Sequence, residues 1–158
     1  MFRTTDLYDV YLEELQVAAP VFRDFGGKTS FHGQIVTLKA FEDNTYLKAL
    51  FETTGVGKVL VVDSAASMRC AMMGDVMASL GARNGGEGVV INGCIRDSAD
   101  VGKVDIGVKA LGTIPRKTVK RDQGITGIPL RFADVVFYPG NYLYADEDGI
   151  VISKTAIV

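Results

Sequence analysis

Two short runs constrain this chain more than anything else in it. Lys58 to Asp63 (KVLVVD) and Gly88 to Asn92 (GVVIN) are continuous apolar, β-branched stretches rather than alternating ones. A strand of that composition has both faces in a core, as central strands of a parallel sheet do. Parallel neighbours need a crossover, and the residues between the two runs are long enough to supply a helix. The sequence predicts helical material from about Ser67 to Arg83, interrupted at Gly74-Asp75, where Gly ends one turn and Asp caps the next. Asn84-Gly85-Gly86 stops it. Residues 58–93 therefore read as a right-handed βαβ unit.

The flanks fit around that unit. Leu7, Tyr8, Tyr11, Leu12 and Leu15 recur at helical spacing, with Asp6 as the expected N-cap and Pro20 just past the end. His32 to Phe41 alternates as a half-buried strand, and a short helix is expected from Asn44 to about Thr53. Beyond Asp105 the chain reads as shorter strands at 106–111, 128–132, 135–138, 142–144 and 150–152, joined by turns such as Pro139-Gly140-Asn141. With 158 residues and no linker or repeat, the expectation is a single α/β domain spanning 1–158.

Charge and composition remove several function classes. Lys+Arg 17 against Asp+Glu 19 leaves a net charge of −2, so direct nucleic-acid binding is not expected. No apolar stretch reaches the ~18–20 residues of a membrane span, and the first fifteen residues are acidic where a signal peptide would be positive. Cys70 and Cys94 match no metal or redox spacing and read as buried thiols. These features together predict a cytoplasmic protein.

Chemistry is expected at the carboxyl edge of the parallel strands, where the crossover helix begins and the second strand ends. That rule brings Gly74-Asp75-Val76-Met77 near Arg96-Asp97. Free N–H groups at a helix N-terminus hold carboxylate or enolate oxygens, and Arg grips a carboxylate through two parallel hydrogen bonds. Asp is a hard oxygen ligand suited to Mg²⁺ or Mn²⁺, which keep most of their waters and need one or two protein carboxylates. Taken alone, the same residues also read as a helix cap and a solvated turn.

Other features read as structural. Thr54-Gly55-Val56-Gly57-Lys58 precedes its strand, whereas a nucleotide loop follows one. Arg116, Lys117, Lys120 and Arg121 put four positive charges within six positions, able to attract an anion but expected to be a solvated hairpin tip. His32 is the single histidine and is expected to be structural. Lys109, the one lysine in an apolar strand, could be weighed as a Schiff-base amine but reads as a strand residue with its head group reaching outward.

The succession Phe25-Gly26-Gly27, Phe41-Glu42-Asp43-Asn44, Val59 to Asp63, Gly74-Asp75, Gly93-Cys94-Ile95-Arg96-Asp97, Asp105-Ile106-Gly107, Pro139-Gly140 and Tyr144-Ala145-Asp146 resembles the regulator of ribonuclease activity A family over nearly the whole chain. That family also contains metal-dependent 4-hydroxy-4-methyl-2-oxoglutarate aldolases, and some members once carried a menaquinone methyltransferase label. This sequence has no glycine-rich strand-to-helix loop for S-adenosylmethionine. Asp75, residues 76–95 and then Arg96-Asp97 fit the family pattern that separates catalytic members from protein-binding ones.

The resemblance implies a swivelling β/β/α domain in ring-shaped homotrimers or hexamers, with sites between subunits. It implies that Asp97 binds a divalent cation, Mg or Mn, and that Asp75 holds water beside it. Arg96 and the amides of Gly74 to Met77 would fix the pyruvoyl end of a small 2-oxo acid, Arg96 and Asp75 being the catalytic pair. The implied reaction is retro-aldol cleavage of 4-hydroxy-4-methyl-2-oxoglutarate, with oxaloacetate decarboxylation through the same enolate. Glu42, Asp43 or the turn from Asp146 to Asp148 are the candidates for taking the substrate's hydroxyl proton. The alternative is a non-catalytic regulator that binds ribonuclease E.

Overall fold

The computed structural model describes residues 1–158. In chain order the elements are α1 (Thr4–Tyr11), a 3-10 turn (Leu12–Glu14), β1 (Gln16–Val17), β2 (Arg23–Asp24), β3 (Phe31–Lys39), α2 (Thr45–Phe51), β4 (Lys58–Ala71) and α3 (Asp75–Arg83). There follow β5 (Gly88–Ile95), α4 (Ser98–Val101), β6 (Gly107–Thr113), β7 (Ile125–Thr126), β8 (Leu130–Phe132), β9 (Val135–Phe137), β10 (Tyr142–Asp146) and β11 (Gly149–Ser153). No helix is long and apolar enough to cross a membrane.

β3, β4, β5 and β6 are parallel neighbours, as the two β-branched runs require. β10, β11 and β1 extend the sheet antiparallel beyond β3, and β2 closes the far edge on β6. Alternate residues of each run serve different cores. Leu60, Val62, Val89 and Ile91 pack with Leu47, Phe51, Met72 and Ile106 under α2 and α3. Val59, Val61 and Val90 face the other way, against Phe137, Leu130 and Leu143. The β8–β9 hairpin covers that second face, which gives the β/β/α layering.

Away from the carboxyl ends of the strands, the structure departs from the sequence reading in three places. Residues 67–71, expected as helix, are strand: β4 bulges at Ala65 and Ala66, both at positive φ (53° and 57°), then re-pairs Ser67 with Gly93 and Ala71 with Cys94. The long β5 edge offers partners that outweigh the helix propensity of SAASMR. The first helix begins at Thr4 rather than at an Asp6 cap, because Thr4 donates from N and Oγ1 to the buried Asp146 carboxylate (2.6 Å each). The helix stops at Tyr11, where Leu12 turns to φ 44°.

Lys109 is the third departure. It is buried, not reaching outward, and its Nζ donates to Asp146 O at 2.6 Å and pairs with Asp24 Oδ1 at 3.0 Å. The carboxylate of β2 and a carbonyl of β10 satisfy it inside the fold. An amine so committed fastens β6 to the edge strand β2 and to the end of β10 rather than serving as a Schiff-base nucleophile.

Candidate active site

The carboxyl ends of β4 and β5 meet the start of α3, and the site grows from that junction. β4 ends with Met72 N donating to Cys94 O (2.8 Å), and β5 ends with Arg96 N donating to Met73 O (2.9 Å). These two ties bring Gly74 and Asp97 together across the junction. Gly74 is the N-cap of α3, and the first helical bond runs from Ala78 N to Gly74 O. The N–H groups of Asp75, Val76 and Met77 therefore face the cleft mouth with no carbonyl to bond inside the helix.

Asp97 has left-handed backbone (φ 55°, ψ 40°), uncommon for a residue with a Cβ. Its carbonyl caps the short α4, accepting from Val101 N at 2.8 Å, while its carboxylate makes no capping bond. The nearest cation is the neighbouring Arg96, Nε to Oδ2 4.0 Å, with both side chains about two-fifths exposed. A Cβ built on Gly74 would lie 2.3 Å from Asp97 Oδ2. The carboxylate thus occupies the space that the glycine leaves open. Left-handed backbone recurs at seven other non-glycine residues, Glu42 among them, so it is the uncommitted carboxylate that sets Asp97 apart.

Arg96, Asp97, Asp75 and the start of α3 line one cleft of about 270 Å³. The three charged residues singled out in the sequence are thus brought together, with Gly74, Val76 and Met77 around them. Four further polar residues line it: Lys117 and Lys120 from the basic run that could attract an anion, Asn44 from the motif at 41–44, and Lys48, which carried no signal in the sequence. The basic run at 116–121 is a correction to the hairpin expectation. It belongs to a strap between β6 and β7 laid across the strand ends, with Arg116 O accepting from Ala71 N (2.7 Å) and Lys117 bridged to Ala71.

The chemistry of the donor set suits a hard, largely hydrated cation. Asp97 and Asp75 offer carboxylate oxygens free of salt bridges closer than 4.0 Å. No cluster of three or more His, Cys, Asp or Glu side chains forms the enclosed cage of a structural zinc site. Mg²⁺ or Mn²⁺ accepts one or two carboxylates and keeps water for the rest.

The other acidic candidates are engaged elsewhere. Glu42 accepts from Ser67 Oγ (2.6 Å) and from both Nε (2.8 Å) and Nη2 of Arg69. Chiefly the hydrogen bond from Arg69, then that from Ser67, brings its pKa down to about 2. Burial of Asp43 pushes upward but is outweighed by donors from Thr45, Arg121 N and Gln123 N, leaving its pKa at about 2. Asp146 is buried against Thr4, with Asp148 N also donating to it. Neither Glu42 nor Asp43 is a proton acceptor near neutral pH, and Asp146 is tied into the fold.

The remaining features are structural, as expected. His32 stacks on Tyr144 (5.5 Å, 8°). Cys70 and Cys94 are free and buried, and burial pushes both thiols up. Gly55 packs against the backbone of Gly86, 2.7 Å from its built Cβ, beside an apolar cavity of about 100 Å³.

Parallel strands that bring a helix N-terminus and an Arg-Asp pair together at their carboxyl ends define an α/β protein with β/β/α layering. The chain belongs to the RraA-like family (aldolase/RraA), whose profile matches residues 4–152. A protein of Dechloromonas aromatica (strain RCB), provisionally named 4-hydroxy-4-methyl-2-oxoglutarate aldolase, is 51% identical over 99% of this chain and 98% of its own. The RNA-processing inhibitor RraA from Thermus thermophilis superposes with a TM-score of 0.96 at 38% identity, over 100% of this chain and 96% of that one. A Geobacillus kaustophilus HTA426 structure described as an S-adenosylmethionine:2-dimethylmenaquinone methyltransferase gives 0.96 at 44% identity, over 99% and 97%.

Proposed function

We propose that this protein is a divalent-metal-dependent lyase that cleaves 4-hydroxy-4-methyl-2-oxoglutarate to two pyruvates and decarboxylates oxaloacetate. The observation that carries the reading is the Asp97 carboxylate, held in a strained turn over Gly74 beside Arg96 and the N-terminus of α3. The provisional aldolase name of relatives near 50% identity points the same way.

Asp97 would hold the cation, with Asp75 ordering water beside it. A hard cation there supplies Lewis acidity at the substrate's 2-oxo and carboxylate oxygens. Arg96 and the amides of Asp75 to Met77 orient the pyruvoyl end and oppose the negative charge that builds on it. In the aldol direction the C3–C4 bond breaks, the 4-hydroxyl loses its proton and becomes the carbonyl of one pyruvate. The bonding pair passes to C3 as the enolate of the second, which is then protonated. Oxaloacetate gives the same enolate when its C4 carboxylate leaves as CO₂. Methyl transfer finds no support in these residues, since Met72-Met73-Gly74 joins β4 to α3 where a glycine-rich loop would be needed.

We place the working unit in a ring of three copies or a stacked six, with clefts between subunits. Exposed Val76, at the cleft, and exposed Met68, Phe41 and Val119 are apolar surface suited to such a contact. Light scattering should read three or six chains.

Pyruvate release from both substrates, with Mg²⁺ or Mn²⁺ and again with EDTA, tests the activity once the rate of free metal is subtracted. Metal-dependent turnover that Asp97→Ala abolishes supports the lyase. The regulator reading rests on the likeness to the RNA-processing inhibitor. No turnover above the metal blank, with ribonuclease E inhibition that survives Asp97→Ala, would replace the lyase by that reading.

A further inference from the structure

We infer that Lys117 and Lys120 bind the second carboxylate of a dicarboxylic 2-oxo acid, setting the cleft's preference for dicarboxylates over pyruvate-like monoacids. The inference rests on the lyase reading and extends it to residues that reading leaves unused. It begins with a charge imbalance. Lys48, Arg96, Lys117 and Lys120 line the cleft against only Asp75 and Asp97. One end of a ligand, a carboxylate with its 2-oxo group, is matched by Arg96, the α3 amides and a cation at Asp97. A monoacid would leave the lysines facing no charge.

The strap is built to hold these lysines in place. Along it, Pro115 O accepts from Arg96 Nη1 at 3.4 Å and Arg116 O accepts from Ala71 N. Thr118 is buried, and Arg121 N and Gln123 N donate to Asp43 Oδ2 at 2.7 and 3.1 Å. The strap therefore runs from Arg96, in the cleft, to the buried Asp43 beside the cleft-lining Asn44, with both lysines between. Lys120 Nζ donates to Asn44 Oδ1 at 2.6 Å, and Asn44 Nδ2 donates to Met72 O at 3.0 Å. A neutral amide steers the ammonium without neutralising it, so its charge stays available to a ligand. Neither Lys117 nor Lys120 takes part in an ion pair, whereas Lys28, Lys48, Lys103 and Lys109 all do.

The preference has a chemical consequence. In aldol cleavage the second carboxylate stays ionised and departs on the leaving pyruvate, so lysines there support the reaction throughout. In decarboxylation the corresponding group must leave as neutral CO₂, and a cationic grip opposes that loss. The strap thus favours C–C cleavage between two retained carboxylates.

The test is calorimetric titration of the full chain in saturating Mg²⁺ with pyruvate and with 2-oxoglutarate, which has the second carboxylate but no 4-hydroxyl to cleave. Wild type should bind 2-oxoglutarate the more tightly. Lys117→Met/Lys120→Met should weaken 2-oxoglutarate by about tenfold or more, as loss of charge-assisted bonds requires, while pyruvate affinity holds. Lys120→Arg should restore much of the difference. Equal weakening of both ligands, or an unchanged ratio, overturns the inference. Wild type that binds pyruvate but prefers it to 2-oxoglutarate overturns the inference and spares the lyase reading; wild type that binds neither overturns both.

Discussion

Two pairs of acidic residues stand at the carboxyl edge of the same sheet and are treated in opposite ways. Glu42 and Asp43, which follow β3, are almost fully buried, and every available donor is turned on them. Asp75 and Asp97, beside the ends of β4 and β5, line an open cleft; Asp97 shares left-handed backbone with Glu42 (φ 55° and 54°), but its carboxylate has only Arg96 at 4.0 Å. Saturation ties the first pair into the fold, while the second pair keeps its oxygens free for the chemistry proposed above. Residue type and position along the strands would not have separated them.

Exchanging single members is the sharpest way to break this contrast. Asp97→Ala should reduce metal-dependent pyruvate release by about a thousandfold or more and leave the thermal midpoint near wild type. Asp43→Ala should do the reverse, lowering unfolding free energy in urea by about 1–3 kcal/mol because backbone donors at Arg121 and Gln123 lose a buried acceptor. If Asp97→Ala unfolds the protein, or Asp43→Ala is silent, the contrast is wrong.

Finer tests follow. Gly74→Ala drives a methyl into the place of Asp97 Oδ2, a side-chain end that can swing aside. Turnover should fall by about tenfold to a hundredfold at nearly unchanged stability, read by rate and midpoint on one preparation. The smallest effect concerns acid. Glu42 and Asp43 have folded pKa values of about 2, below ordinary values of 4.5 and 3.8. Their stabilisation is therefore complete above about pH 4.5 and lost as pH falls toward 2. Denaturant titrations across that window should show the acid limb shallower in Asp43→Asn, whose stability above pH 5 is lower than wild type and, like it, independent of pH.

The central unit was legible because its physics is local to the sequence. Val59 to Val62 and Val89 to Ile91 are apolar at every position, since Val59 and Leu60 serve different cores, and few other environments demand that. Asp75, Arg96 and Asp97 followed from the same topology. Three things were not legible. The extension of β4 through a bulge depends on the reach of β5, which residues 64–71 do not encode. The strap at 114–124 has no periodicity, and its course is set by Asp43, Asn44 and Arg96, far away in sequence. Lys109 is buried because Asp24 and Asp146 arrive from opposite ends of the chain to meet it.

The left-handed residue at Asp97 has one more consequence. Neighbours along a strand point to opposite sides, so a consecutive Arg and Asp leaving β5 in extended form would be sent apart. One reversed turn cancels that alternation and delivers both to the same cleft, 4.0 Å from each other. The guanidinium and the carboxylate are thereby joined through a single peptide unit rather than through the packing of separate elements. Breathing of the sheet or sliding of a helix can carry the pair about, but it can hardly pull the two charges apart.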